Sequence, residues 1–270
     1  MKLFVTDIDD TLTVGETVSG EVCRACARLR EAGWDIMIAT GRTFGMSKNH
    51  MRAIGVTQPA LLYDGGRTMT PAGREIRSTL MDPALTAALL RSLWNEPFEV
   101  QVAGDEVIYC RERDVETISF YRQGGVPVRC IEEPFAPDPV YRLALWLPAS
   151  DRVAVETRLL RSFSEVEVLS GGDRFLDILP KGVSKGAALE RFIEDLPERP
   201  EVIVAAGDHK NDFTMLNCAD IAAVPQNADA EVLALADVVF PAAAENGIAA
   251  LMERLLSGGI LPSGRVASHN

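Results

Sequence analysis

The 270-residue sequence predicts an α/β fold, in which a parallel-sheet core is interrupted by an inserted α+β segment. Three observations carry that expectation. Strand-like apolar runs alternate with helical stretches up to about residue 63, the spacing of βαβ units joined by right-handed crossovers. From about residue 82 to 181 the texture changes to hairpin signals mixed with helices. From 184 onward the strand–helix alternation resumes. The expected division is therefore a core of 1–81 and 182–270 and an insert of 82–181. At 47% hydrophobic residues the chain can bury a core of that size.

The elements follow in order. Leu3, Phe4 and Val5 read as a short buried strand that runs into Thr6-Asp7-Ile8-Asp9-Asp10-Thr11. After a turn at 13–15, a helix is expected over 19–32, with Val22, Cys26 and Leu29 on one stripe and Gly33 as its stop. A second buried strand begins at Trp34 and ends in Ala39-Thr40-Gly41-Arg42. A helix over 44–54 and a third strand over 60–63, closed by Asp64-Gly65-Gly66, extend the pattern. In the insert, 99–102 and 106–110 flank Ala103-Gly104-Asp105 as a hairpin. Residues 141–147 alternate as a strand, 151–163 read as a helix, and 166–169 with 175–179 flank Gly171-Gly172-Asp173 as a second hairpin. The core then returns with a helix over 184–196, a strand over 202–206 and a helix over 212–218. Strands over 221–224 and 238–239, an amphipathic helix over 245–256 and a loose polar tail over 261–270 complete the chain.

Composition excludes several classes. A formal net charge of -12 argues against a general nucleic-acid binder, which needs a basic face. No apolar run reaches the roughly 18 residues of a membrane span, so no membrane partner is expected. The start of the chain lacks the charged and apolar regions of a signal peptide, and five cysteines, an odd number, read as reduced thiols. A cytoplasmic protein is the expectation. Cys23 and Cys26 make a lone C-x-x-C, for which packing on one helix is the simpler account than redox or zinc use.

Chemistry concentrates at predicted strand ends. Asp7 and Asp9, with one residue between them, can project from one face of the strand's carboxyl end, where ligands bind in open α/β sheets. Two acids at one spot repel unless a cation lies between them or one holds a proton. A hard ion such as Mg2+ meets that need; an ordinary Asp-Asp-Thr turn is the alternative. Gly207-Asp208-His209-Lys210-Asn211-Asp212 follows a second apolar strand, and Thr40 and Arg42 follow a third. Three strand ends with acids, a hydroxyl and a cation suit phosphoryl transfer, with Asp7, Asp9 and Asp208 on Mg2+ and Thr40 on phosphate oxygens. Lys181 and Lys185 fall where the core resumes, at a helix N-terminus. A lysine there opposes the helix dipole unless an anion is near.

With these motifs in place the chain resembles a haloacid dehalogenase superfamily phosphatase of the Cof-like group, which carries a large cap after the third strand of a Rossmann-like core. Asp7-Ile8-Asp9-Asp10-Thr11 matches the first motif, Ala39-Thr40-Gly41-Arg42 the second, Lys185 the third and 207–212 the fourth. Pro225-Gln226-Asn227-Ala228, Glu231 and Glu245-Asn246-Gly247-Ile248 match as well. The resemblance implies that Asp7 is the nucleophile, Asp9 the general acid and base, and Thr40 and Lys185 the holders of the phosphoryl oxygens, with Gly41 and Asn211 beside them; Arg42 is a separate candidate for substrate contact, with pairing to a surface acid as the alternative. It implies Mg2+ on Asp7, the Asp9 carbonyl and Asp208, with Asp212 in support. The implied substrate is a small phosphomonoester, most often a sugar phosphate. A phosphomannomutase-type phosphomutase and a catalytically idle phosphometabolite-binding protein are the alternatives.

Two departures stand out. Asp10 takes the place of a common glycine, where aspartate also tolerates turn geometry. Asp64-Gly65 replaces Asn-Gly, adding negative charge whose use, on metal or on substrate, stays open. His209 and Lys210 are expected on a solvated loop and Arg111, Arg113 and Arg174 on solvated surface, while His50 and His269 carry no motif.

Overall fold

The computed structural model describes residues 1–135, 137–170, 172 and 174–260. The expected tail, His269 and the tip residues Gly171 and Asp173 of the second expected hairpin lie outside the described residues. The chain divides into two compact units. One takes Met1–Gly41, Ser47–Ile76 and the chain from Ser184 onward; the other takes Arg42–Met46 and Arg77–Val183.

In chain order the first elements are β1 (Lys2–Thr6), α1 (Gly20–Glu31), β2 (Trp34–Ile38), α2 (Phe44–Ile54), β3 (Ala60–Leu62), β4 (Arg67–Met69) and β5 (Glu75–Ser78). Ser19 caps α1 by accepting from the Val22 N–H, which satisfies one of the helix's orphan donors. Cys26 is fully buried on α1 with its sulfur 3.7 Å from Met252 Sδ, and burial pushes its thiol up to about 12. Cys23 and Cys26 are both free thiols, and Cys26 serves as packing.

The second unit contains α3 (Pro83–Leu93), β6 (Glu99–Ala103), β7 (Ile108–Cys110), α4 (Val115–Gln123), β8 (Val128–Cys130), β9 (Arg142–Trp146), α5 (Arg152–Ser162), β10 (Val166–Leu169) and β11 (Phe175–Pro180). Its six-stranded sheet has the order β10-β11-β9-β6-β7-β8 and is antiparallel except for the parallel pair β7–β8. Val100, Val102, Leu143, Leu145, Leu176 and Ile178 alternate along their strands toward Leu89, Leu90 and Leu93 of α3 and Val155 and Leu159 of α5. Arg111, expected at the solvated surface, is instead buried. Its guanidinium meets Asp114 at 2.7 Å and donates to the carbonyls of Trp94, Glu96 and Phe98, which follow α3 and have no helical partner. Arg113 shares the Trp94 and Glu96 carbonyls from an exposed position. Arg174 is exposed, pairing with Glu116 and lying over the Trp146 ring.

The first unit resumes with α6 (Lys185–Glu194), β12 (Val202–Ala206), α7 (Phe213–Cys218), β13 (Ile221–Pro225), α8 (Ala230–Leu233), β14 (Val238–Phe240) and α9 (Gly247–Leu256). Its five-stranded sheet has the order β14-β13-β12-β1-β2, every pair parallel. Leu3, Val5, Met37, Ile203, Ala205 and Ala222 bury one face against Leu189, Met215 and Leu216. The third strand departs from expectation. β3 meets the β2 side through a single parallel bridge, Ala39 to Leu61, and pairs antiparallel with β4. Left-handed backbone at Tyr63 (φ 49°) and Asp64 (φ 53°) turns the chain back after three residues, before a parallel ladder can grow. His50, without a motif, is buried on α2.

Candidate active site

The sheet register sets the site. In β1, Thr6 pairs with Ala206 of β12 and with Ile38 of β2, so Asp7, Asp208 and Thr40 leave the sheet at one edge. The Asp7 N–H bonds to Ala206 O and the Ala39 N–H to Thr6 O, which carries the ladder to the point where the side chains diverge. Asp7, Thr40, Lys185, Asp208 and Asp212 are all buried, Lys185 at 0% exposure. Asp9 is half-buried in the loop that follows, bridged to Thr13.

Lys185 is the first residue of α6, whose cap Ser184 accepts from the Ala187 N–H. The anions that offset the helix dipole are present: Lys185 Nζ donates to Asp7 Oδ1 at 2.8 Å and to Asp212 Oδ1 at 2.7 Å. Burial works against the ammonium, but Asp212, Asp7 and Asp64 outweigh it and hold Lys185 protonated above the ordinary lysine range. Asp212, expected only in support, is thus in direct contact with the lysine. Its other oxygen accepts from the Asp208 and His209 N–H groups at 3.0 and 3.2 Å. Gly207 makes that turn possible, since a Cβ there would lie 2.5 Å from Asp212 Cβ.

Asp7, Asp208 and Asp212 each offer a carboxylate oxygen within 4.8 Å of the others. Burial pushes the Asp7 carboxyl well above the usual range; Lys185 opposes the shift, and Asp212, Asp9 and Asp208 add to it. Burial and Asp212 push Asp208 up to about 7, against His209, the Thr11 hydroxyl and Lys185. Asp208 Oδ1 accepts from Thr11 Oγ1 at 2.7 Å, while buried Oδ2 has no hydrogen-bond partner among the described residues. Oxygen donors in carboxylate excess, one of them an orphaned buried atom, fit a hard divalent cation.

Thr40 spends its N–H on Leu61 O and accepts the Asp64 N–H on its carbonyl. Asp64 is fully buried in left-handed backbone and accepts from Asn211 Nδ2 at 2.9 Å. The Asp64 departure therefore holds Asn211 and adds to the field around Lys185. Gly65 beside it has φ 95°, and a Cβ would lie 2.4 Å from Ser184 O. Gly41 is half-buried beside Thr40; Arg42 is buried and groups with the second unit. Lys181 is exposed and pairs with Glu167 at 3.1 Å.

Residue spacing left several contributions unread. Asn227 donates from Nδ2 to Asp10 O and accepts the Ala243 N–H, so it anchors the loop after β1. Its place in Pro-Gln-Asn-Ala marked it as notable without showing its partner. Gly247 is required because a Cβ would lie 1.8 Å from Pro241 O. Lys210 pairs with Glu231 at 3.0 Å. His209, expected to be solvated, is three-quarters buried; Asp208 and Asp229 raise its imidazole pKa against the effect of burial.

Comparison with known proteins identifies the family of the chain. Residues 4–252 match the family model of haloacid dehalogenase-like hydrolases. The 5-amino-6-(5-phospho-D-ribitylamino)uracil phosphatase YwtE of Bacillus subtilis is 26% identical over 96% of this chain and 99% of its own length. The phosphoglycolate phosphatase of Methanopyrus kandleri is 27% identical over 94% of this chain and 97% of its own. Among solved structures, the HAD subclass IIB sugar phosphatase BT4131 shares the fold with a TM-score of 0.81, at 21% identity over 94% of this chain and 99% of that one.

Proposed function

Because the chain belongs to the haloacid dehalogenase-like hydrolase family, we propose that it is a Mg2+-dependent phosphatase that hydrolyses small phosphomonoesters, with sugar phosphates as the leading class. One observation carries the reading: a fully buried ammonium, Lys185, clamps Asp7 while Asp208 crowds the same carboxylate. That arrangement leaves Asp7 oriented and in need of a cation, which suits a carboxylate nucleophile. The named activities of YwtE and the Methanopyrus enzyme, both phosphatases of small phosphorylated compounds, support it.

Asp7, the Asp9 backbone carbonyl and Asp208 are the proposed Mg2+ ligands. When bound, Mg2+ supplies positive charge to the carboxylates and to the phosphoryl oxygens. In the first step an Asp7 oxygen bonds to phosphorus as the ester P–O bond breaks, and Asp9 gives its proton to the leaving oxygen. In the second, Asp9 takes a proton from water, the water oxygen bonds to phosphorus, and Asp7 is released with inorganic phosphate. Lys185 spends two of its three N–H donors on Asp7 and Asp212, so one is left for a phosphoryl oxygen. Thr40 is the proposed second holder of the same group, beside Gly41 and Asn211. Asp212 steadies Lys185. Segment 82–181 is proposed as the cap that selects the substrate.

Phosphate release from a panel of sugar phosphates and other small phosphomonoesters tests the proposal. Release with Mg2+, lost in EDTA and in Asp7→Asn, is expected. Isomerisation of a sugar phosphate in the presence of its bisphosphate, without phosphate release, would point to a mutase instead.

A further inference from the structure

A pocket of about 310 Å3 beside the acidic cluster holds a histidine that the proposed reaction does not use. Asp10, Val14, Asp208, His209, Asn227 and Ala242 line it. His209 Nδ1 lies 3.4 Å from Asp229 Oδ2, and its Nε2 lies 3.3 Å from Asp208 Oδ2. Metal-binding histidines nearly always give one ring N–H to a carboxylate, which turns the other nitrogen's lone pair toward the ion. A simple imidazolium pair would align Nε2–H with Asp208 Oδ2. Here the two atoms are close, yet Oδ2 has no hydrogen-bond partner among the described residues, although Asp208 is fully buried.

Asp10 completes the set. One donor atom each from Asp10, Asp208 and His209 lie within 4.8 Å of one another. The Asp10 backbone is fixed in the left-handed region at φ 53°, with its N–H on Thr13 O and its carbonyl on Asn227 Nδ2. We propose that Asp10, Asp208 and His209 form a second cation site, which takes a transition-metal ion such as Zn2+ or Co2+. An imidazole nitrogen with two carboxylates suits those ions, whereas Mg2+ favours oxygen donors alone. Asp208 belongs to both acidic clusters, so its carboxylate is common to the two sites. This inference goes beyond the proposed hydrolysis and does not rest on it.

The test uses the full chain labelled with 15N-histidine, saturated with Mg2+ and titrated with Zn2+. The chain has three histidines, and His209→Asn assigns the signal. The His209 Nε2 resonance is expected to move to a metal-ligated position with one equivalent of Zn2+, while Nδ1 keeps its proton. Mg2+ alone, which reaches His209 only through the charge of Asp208, should not bring Nε2 to the metal-ligated position. Asp229→Asn should weaken Zn2+ binding about 10–100-fold, and Asp10→Asn at least as much. The inference is overturned if Zn2+ leaves the His209 resonances in place, or if neither variant changes the affinity. Mg2+-dependent phosphate release without Zn2+ is read separately, so failure of one proposal does not mask the other.

Discussion

Replacing Lys185 with methionine removes the one ammonium held between Asp7 and Asp212 while keeping most of the side-chain volume. Lys185 is fully enclosed and makes two charge-assisted hydrogen bonds of 2.8 and 2.7 Å. Both acceptors are buried, so solvent cannot replace the lost donor. Removing one partner of such a buried ion pair costs about 3–5 kcal/mol, because the other charge is left uncompensated. At pH 8 without Mg2+, Lys185→Met should lose that amount in urea unfolding, seen as a lower midpoint with an unchanged slope. The loss should shrink at pH 5. Burial already raises the Asp7 carboxyl and loss of Lys185 removes what opposes that shift, so folded Asp7 binds a proton there that the unfolded chain has released. Phosphate release should fall by about 10²–10³-fold or more, the usual effect of losing a preorganised donor to a developing oxyanion. A loss below about 1 kcal/mol, equal at both pH values, would refute the role of Lys185 as counter-ion.

Other outcomes follow from the same geometry. Gly247→Ala places a Cβ 1.8 Å from Pro241 O and should lower stability well beyond Gly258→Ala, whose φ of 70° meets open space and costs about 1–2 kcal/mol; thermal melts of the pair check this. Asp208 titrates near 7 without metal, against 3.8 for an ordinary aspartate, so the folded chain holds a proton that the unfolded chain has released. Stability without Mg2+ should therefore fall as pH rises between those values. Mg2+ binding at pH 6 should release close to one proton from Asp208, measured by calorimetry in buffers of different ionisation enthalpy, and the release should fade by pH 8.5. Asn227→Ala cuts the tie between the Asp10 carbonyl and the Ala243 N–H, and should cost about 1–3 kcal/mol in urea unfolding.

Much of the core was legible because its signals are local. The apolar run before Asp7, the stripe of Val22, Cys26 and Leu29 and the strand before Gly207 each predict their element from nearby residues, and strand register then brings the acids to one edge. The Lys185 anomaly at a helix start pointed to anions that turned out to be Asp7 and Asp212. What stayed unread depends on partners distant in sequence. Arg111 is buried by carbonyls 13 to 17 residues earlier in the chain, and Asn227 reaches Asp10 across 217 residues. The turn of β3 into an antiparallel hairpin rests on left-handed backbone at Tyr63, a residue type that seldom signals it. The strands β4, β5 and β8 are too short for periodicity to show.

The central claim is that Asp7 carries the phosphoryl group. Acid-quenched Asp9→Asn enzyme, mixed with Mg2+ and p-nitrophenyl phosphate, tests it most directly. That leaving group departs without a proton, whereas hydrolysis of the intermediate lacks its base, so phosphate should accumulate on the protein. The account predicts a hydroxylamine-labile phosphate on the peptide that contains Asp7, absent when Asp7 is also changed to asparagine. Release of p-nitrophenol in a single turnover with no phosphate on that peptide would contradict it.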